Sequence, residues 1–208
     1  MNNMRQDLTI MKAIIKADYE RKVKTFRSLP VEQKDIIAGD SMIAYLNLKH
    51  YGLSDWINMG IAGDTTEGFI NRLDAIQRQN PKRVIISIGS NDLVLSNLNK
   101  EKIVENMRQI HMEISKLSKV FILSLTPIND KVEIANHSYI AGRKNEDILM
   151  INHMLNEEFK DHFIDVSTSL MNHHRMLNEA FTKDGIHLNQ AGYHVFTEII
   201  KKRLKQTS

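Results

Sequence analysis

Five short aliphatic runs, each separated from the next by a stretch of helical periodicity, constrain this chain more than any other feature. They lie near Asp35-Ala38, Trp56-Met59, Arg83-Ile88, Lys119-Leu125 and His162-Val166, and end at Gly, Thr-Pro or polar turns. Runs this short, apolar at nearly every position, read as strands buried on both faces. Helical patterns fill Met42-Lys49, Thr65-Gln79, Lys100-Leu117 and Arg143-Phe159, and a last one runs from Asn189 to Lys205. Strand and helix alternating in this way build a parallel sheet with helices on both faces, because each parallel connection must cross over, and does so right-handed. The sequence therefore predicts an α/β fold, a three-layer α/β/α sandwich around a five-stranded parallel sheet. Its 208 residues suit one domain with a sizeable core.

Ahead of the first run, Leu8 to Leu29 reads as an extra helix, with Ile10, Ile14, Ala17 and Val23 set among many charges. Ser28-Leu29-Pro30 closes it, since proline cannot continue the hydrogen-bond ladder. This divides the chain into an N-terminal helical extension over 1–30 and a main domain over 31–208. The weak apolar stripe packs the helix on the outside of that domain; the alternative is a partner-binding or dimerising helix, which would make the chain a homo-oligomer.

Lys and Arg number 28 against 25 Asp and Glu, a net charge of +3 that gives no reason to expect nucleic acid or an anionic membrane. The basic Lys201-Lys202-Arg203-Leu204-Lys205 segment complements the dipole of the last helix. With no cysteine there is no thiolate nucleophile, disulfide framework or Cys-based zinc site. Met1 through Arg27 is charged throughout and lacks the apolar core of a secretory signal, and no apolar run approaches the roughly 20 residues of a membrane span. A cytoplasmic protein without a membrane span is the expectation. Pro127 to Gly142, the longest polar connection, leaves the C-terminal end of the fourth strand, where ligands bind in open α/β sheets. It is a candidate lid or substrate-facing loop, and equally an ordinary surface connection.

Four blocks carry chemistry. Ile36-Ile37-Ala38-Gly39-Asp40-Ser41 delivers a serine to the start of a helix, where the first amides are unpaired. Taken alone, Ser41 is as good a helix cap as a nucleophile. Asp40 is expected to brace the turn through amide hydrogen bonds. Gly60-Ile61-Ala62-Gly63-Asp64-Thr65 and Gly89-Ser90-Asn91-Asp92 follow the second and third strands on the same sheet edge as Ser41. A glycine there lets a backbone N–H approach a substrate, and an asparagine offers a side-chain amide; each alone is also a plain turn or cap. In Asp184-Gly185-Ile186-His187 the carboxylate lies three residues from the imidazole, close enough to reach it, although Asp-Gly is also a common turn. The adjacent His173-His174 lacks any HExxH or carboxylate pattern, so no metal is expected.

These four blocks, in this order and spanning Asp35 to about His194, resemble the SGNH (GDSL-type) esterase and acylhydrolase family. The resemblance implies the flavodoxin-like strand order 2-1-3-4-5 and makes 31–208 the hydrolase domain. It puts the nucleophile on Ser41, the acid and base on Asp184 and His187, and the oxyanion-hole donors on Gly63, Asn91 and the Ser41 amide, with no metal and no cofactor. A small-molecule ester is the implied partner. Gly60 to Thr66, Asn71-Arg72-Leu73 and Pro81-Lys82-Arg83 look like the platelet-activating-factor acetylhydrolase-like subgroup, which suggests a short, chiefly acetyl, acyl group. Leu93, Val94, Leu95, Leu98, Ile134 and Tyr139, scattered among polar residues, are enough to line a small acyl pocket. The alternatives are a carbohydrate O-acetylesterase, a lysophospholipase or thioesterase of the same family, and a non-enzymatic lipid or glycan binding module, against which the intact motif residues speak. A conventional α/β-hydrolase is disfavoured because no G-x-S-x-G occurs.

Overall fold

The computed structural model describes residues 2–96 and 98–206, apart from the side chains of residues 2–9, 11 and 139. In chain order its elements are α1 (Asn2–Ser28), β1 (Ile36–Gly39), α2 (Ser41–Ala44), β2 (Ile57–Gly60), α3 (Thr66–Ile70), α4 (Leu73–Gln77), β3 (Arg83–Ser87), α5 (Lys100–Ser115), β4 (Lys119–Leu123), α6 (His137–Ile140), α7 (Asn145–Phe159), β5 (Phe163–Ile164) and α8 (Gln190–Gln206). The strands form one parallel sheet in the order 2-1-3-4-5. Ile36 lies opposite both Ile57 and Val84, and Ile122 opposite Phe163.

Alternate residues along each strand serve two separate cores, as the two-residue repeat of a strand requires. Ile36, Ala38, Val84, Ile86, Val120 and Ile122 pack with residues of α1, α3, α4, α5 and α7. Ile37, Ile85, Phe121 and Leu123 face the other way, toward α2 and α8. Val23 and Phe26 of α1 are buried in the first of these cores, so the end of that helix is part of the packing around the sheet.

Several elements are shorter than their periodicity predicts, each for a visible reason. The 42–49 pattern gives only the four residues of α2, because Asn58 Nδ2 donates to the carbonyls of Ile43 at 2.7 Å and Leu46 at 3.0 Å, occupying acceptors a longer helix would use. The 65–79 pattern is broken into α3 and α4 at Arg72, whose backbone turns to φ −126°, ψ 17°. The fifth strand ends at Ile164, since Ser124 Oγ accepts from the amides of Val166 and Ser167, both at 2.9 Å, in place of a ladder partner. A one-turn helix, α6, interrupts the polar connection after β4. Among the described residues no helix is long and apolar enough to cross a membrane.

Candidate active site

At the C-terminal end of β1 the Asp40 amide donates to Ser87 O of the neighbouring strand at 3.1 Å. Asp40 then caps α2: its Oδ1 accepts from Met42 N at 3.0 Å. The capping role is thus filled by the aspartate, and the half-buried Ser41 directs its hydroxyl elsewhere, to within 3.0 Å of His187 Nε2. Burial pushes the Asp40 carboxyl up to about 7; the Met42 amide and Arg143 oppose that rise, while Asp64 and Asp92 add to it.

His187 is held from its other side. Asp184 Oδ2 lies 2.7 Å from Nδ1, and Asp184 Oδ1 accepts from the amides of His187 at 2.7 Å and Ile186 at 3.1 Å. A carboxylate on Nδ1 keeps the proton there, so the Nε2 lone pair faces Ser41. Burial acts to raise Asp184, but the hydrogen bonds from the His187 ring and amide outweigh it and leave the carboxyl below its ordinary value. The connection after β4 braces this loop. Asn129 N donates to Gly185 O at 2.7 Å and Asn136 N to Asp184 O at 2.8 Å. At Gly185, with φ +83°, a Cβ would lie 2.3 Å from Asn129 O, so only glycine fits beneath the brace. The ring of Tyr45, 49% exposed, stands edge-on to His187 at 5.2 Å, and Lys183 Nζ lies 4.8 Å from the Tyr45 ring centre.

Gly63 and Asn91 occupy the turns after β2 and β3, on the same sheet edge as Ser41. Gly63 takes φ +78°, and the side chain of Ile15 from α1 fills the position a Cβ would need, 2.8 Å away. The turn is anchored by Asp64, whose Oδ2 accepts from Arg72 Nε at 2.8 Å. Arg72, fully buried, also donates to the carbonyls of Met59 at 2.9 Å and Gly39 at 3.2 Å, tying together the ends of β2 and β1. Asn91 Nδ2 donates to Asp64 O at 2.9 Å. Its Oδ1 accepts from Arg143 Nη2 at 2.6 Å, and Arg143 Nε donates to Ser90 Oγ at 3.1 Å.

Ser41, His187 and Asp184 therefore form one hydrogen-bonded chain, while Asn91 is linked through Asp64 to the turn holding Gly63. Such an arrangement can activate a hydroxyl and offer donors to a developing negative charge. Leu93 and Leu98 pack on the core and Ile134 is exposed; the Tyr139 side chain lies outside the described residues. Three residues around the site were given no role from the sequence, Arg72 having entered only within the Asn71-Arg72-Leu73 resemblance. Arg72 had a signal: Phe69, Arg72, Leu73 and Ile76 share one helical face, so an arginine stood on an apolar stripe. Tyr45 and Arg143 had none, since only tertiary folding brings them here. Among the described residues no group of three or more His, Asp or Glu is placed to hold a metal ion.

The GDSL-like lipase/acylhydrolase family model matches residues 39–195. Among solved structures, a Streptococcus pneumonia protein named for platelet activating factor is 22% identical with a TM-score of 0.84, the match covering 96% of this chain and 99% of that one. A GDSL-like lipase from Bacteroides thetaiotaomicron is 20% identical with a TM-score of 0.76, over 92% of this chain and 99% of its own. These likenesses show a shared fold. An N-acylneuraminate cytidylyltransferase from Escherichia coli is 27% identical over 177 residues, which is 81% of this chain; the chain spans 40% of that relative's length.

Proposed function

The chain belongs to the GDSL-like lipase/acylhydrolase family, and we propose that it is a hydrolase of carboxylic esters that cleaves short-chain, chiefly acetyl, esters through an acyl-enzyme on Ser41. The observation carrying this reading is the continuous chain from Ser41 Oγ through His187 to Asp184, with contacts of 3.0 and 2.7 Å. In the proposed cycle Ser41 Oγ attacks the ester carbonyl as its proton passes to His187 Nε2. Asp184 stabilises the imidazolium without taking the proton. The carbonyl oxygen gathers charge near the amides of Ser41 and Gly63 and the Asn91 side-chain amide. Collapse of the tetrahedral species expels the alcohol, which receives the proton from His187. Water then repeats the sequence to release the acid and restore the hydroxyl.

Ser41→Ala should abolish turnover without lowering the melting temperature, and a fluorophosphonate probe should label Ser41. Labelling at another residue, or turnover retained in the variant, would refute the assignment. The short-acyl preference draws support from Leu93 and Leu98, which are partly buried and pack against the core. In a long apolar groove each buried CH₂ would add about 0.8 kcal/mol. The highest kcat/KM is expected on acetyl to butyryl p-nitrophenyl esters. A rise through octanoyl and decanoyl esters would favour a lysophospholipase or thioesterase instead.

Two observations favour a second reading, the carbohydrate O-acetylesterase. Tyr45 presents an exposed ring beside His187 with Lys183 next to it, a platform suited to a polar ring as leaving group. The E. coli relative is named for an N-acylated sugar acid, although that name describes a protein of which this chain matches a part. Acetylated sugars outperforming p-nitrophenyl acetate in kcat/KM would select it.

A further inference from the structure

Arg143 lies at the far end of the connection that follows β4, more than 50 residues from Asn91 in sequence, yet its guanidinium reaches Asn91 Oδ1 at 2.6 Å and Ser90 Oγ at 3.1 Å. We infer that Arg143 is a positioning residue that locks the rotation of the Asn91 side-chain amide, so that nitrogen rather than oxygen is presented to the reacting carbonyl. The inference rests on the esterase reading above and deepens it.

An asparagine amide is nearly symmetric in shape and opposite in polarity, so a half-turn exchanges a donor for an acceptor. In the oxyanion hole the wrong orientation would set a carbonyl oxygen against the developing negative charge. The partners of Asn91 permit one orientation only. Arginine has donors and no acceptor, and so demands the oxygen; the Asp64 carbonyl accepts and cannot donate, and so demands the nitrogen. One Nδ2 hydrogen is spent on Asp64 O at 2.9 Å, leaving the second for substrate. Without Arg143 a flip would cost only the Asp64 contact. The guanidinium is itself held by a second donor bond, to Ser90, whose backbone adjoins Asn91 and moves with it. Arginine suits this fork where lysine, a single rotatable ammonium, does not.

The test compares Arg143→Ala, Arg143→Lys, Asn91→Ala and the Asn91→Ala/Arg143→Ala double variant on the same short-chain ester, with melting temperature as the check on folding. Removing one oxyanion-hole donor typically costs about 10² to 10³ in kcat. Because a turning amide still spends a large part of its time correctly placed, Arg143→Ala should lower kcat by roughly 2- to 10-fold, well short of the loss in Asn91→Ala, with KM within about twofold. Arg143→Lys should recover little of this, and added guanidinium ion should recover part. In the Asn91→Ala background, removal of Arg143 should have no further effect. If Arg143→Ala does not fold, Ser90→Ala, which removes one acceptor of the fork, should give a smaller fall in kcat of the same kind. Side-chain amide NMR provides a readout independent of turnover: the Asn91 NH₂ signals should shift or broaden in Arg143→Ala. An unchanged Asn91 spectrum, a loss mainly in KM, or an equal loss with and without Asn91 would overturn the inference. A wild-type protein inert toward every ester would instead overturn the esterase reading, and the NMR result would still decide the role of Arg143.

Discussion

Asp40 and Ser41 sit side by side and divide the work of one turn: the Asp40 carboxyl group caps the helix through Met42 N, and the Ser41 hydroxyl is released to His187. The same economy appears at Asp184. Its two oxygens are used differently, Oδ1 fixing the loop through two backbone amides and Oδ2 fixing the imidazole. Asp184→Asn should therefore keep the loop, since an amide oxygen can still accept from the Ile186 and His187 amides, while losing the carboxylate that sets the tautomer of the ring. Turnover is expected to fall by up to about 10⁴-fold, less than in His187→Ala, which removes the base itself. Steady-state kinetics on p-nitrophenyl acetate compare the two, and equal losses would mean that Asp184 does more than orient the ring.

Between elements, the site depends on two segments that contribute no reacting atom. The connection after β4 holds Gly185 and Asp184 from one side and, through Arg143, Asn91 from the other. Helix α1 covers the third corner, where Ile15 fills the space beside Gly63 and Tyr19 Oη donates to Gly68 O at 2.7 Å. We propose that α1 is an extension in sequence only, because Val23 and Phe26 share the core of Ile36 and Val84. Phe26→Ala should cost about 3–5 kcal/mol in urea unfolding, as for a buried core phenylalanine. A chain beginning at residue 31 should lose both stability and activity; a fragment that melts and turns over like the full chain would make the helix an independent appendage. The strands and the blocks at their ends were legible in the sequence because short, nearly continuous apolar runs and glycine-bearing turns leave local signatures, whereas the strand order came only with the family resemblance. The Ile15 contact and the Arg143 fork were not, because a half-buried isoleucine on a charged helix and an arginine after a polar loop look like ordinary surface residues until the chain is folded. The break at Arg72 was missed for a related reason: periodicity rewards an uninterrupted stripe and is blind to a buried guanidinium that needs Asp64, Met59 O and Gly39 O.

Across the whole molecule, the parallel topology gathers Asp40, Asp64 and Asp92 beneath one sheet edge, each of them buried. Burial raises all three: Asp64 in spite of its pairing with Arg72, and Asp40 and Asp92 to about 7 and about 6. A carboxyl with an ordinary value near 3.9 in the unfolded chain and a higher one in the fold contributes most to stability below that ordinary value. Above it the unfolded chain gives up a proton that the folded chain retains. The contribution is therefore lost progressively as pH rises from about 4 and is gone once the folded group ionises, near 7 for Asp40. Asp184, held below its ordinary value by His187 against the effect of burial, acts in the opposite sense: its contribution is present above about 4 and is lost on further acidification. Asp40→Asn keeps an oxygen for Met42 N and removes the titration. Relative to wild type, the melting temperature of Asp40→Asn should rise steadily between pH 4 and 7 and then level off. A difference that does not change with pH over that range would show that Asp40 ionises in the folded protein much as it does in the unfolded chain, and that its burial is relieved by something other than a retained proton.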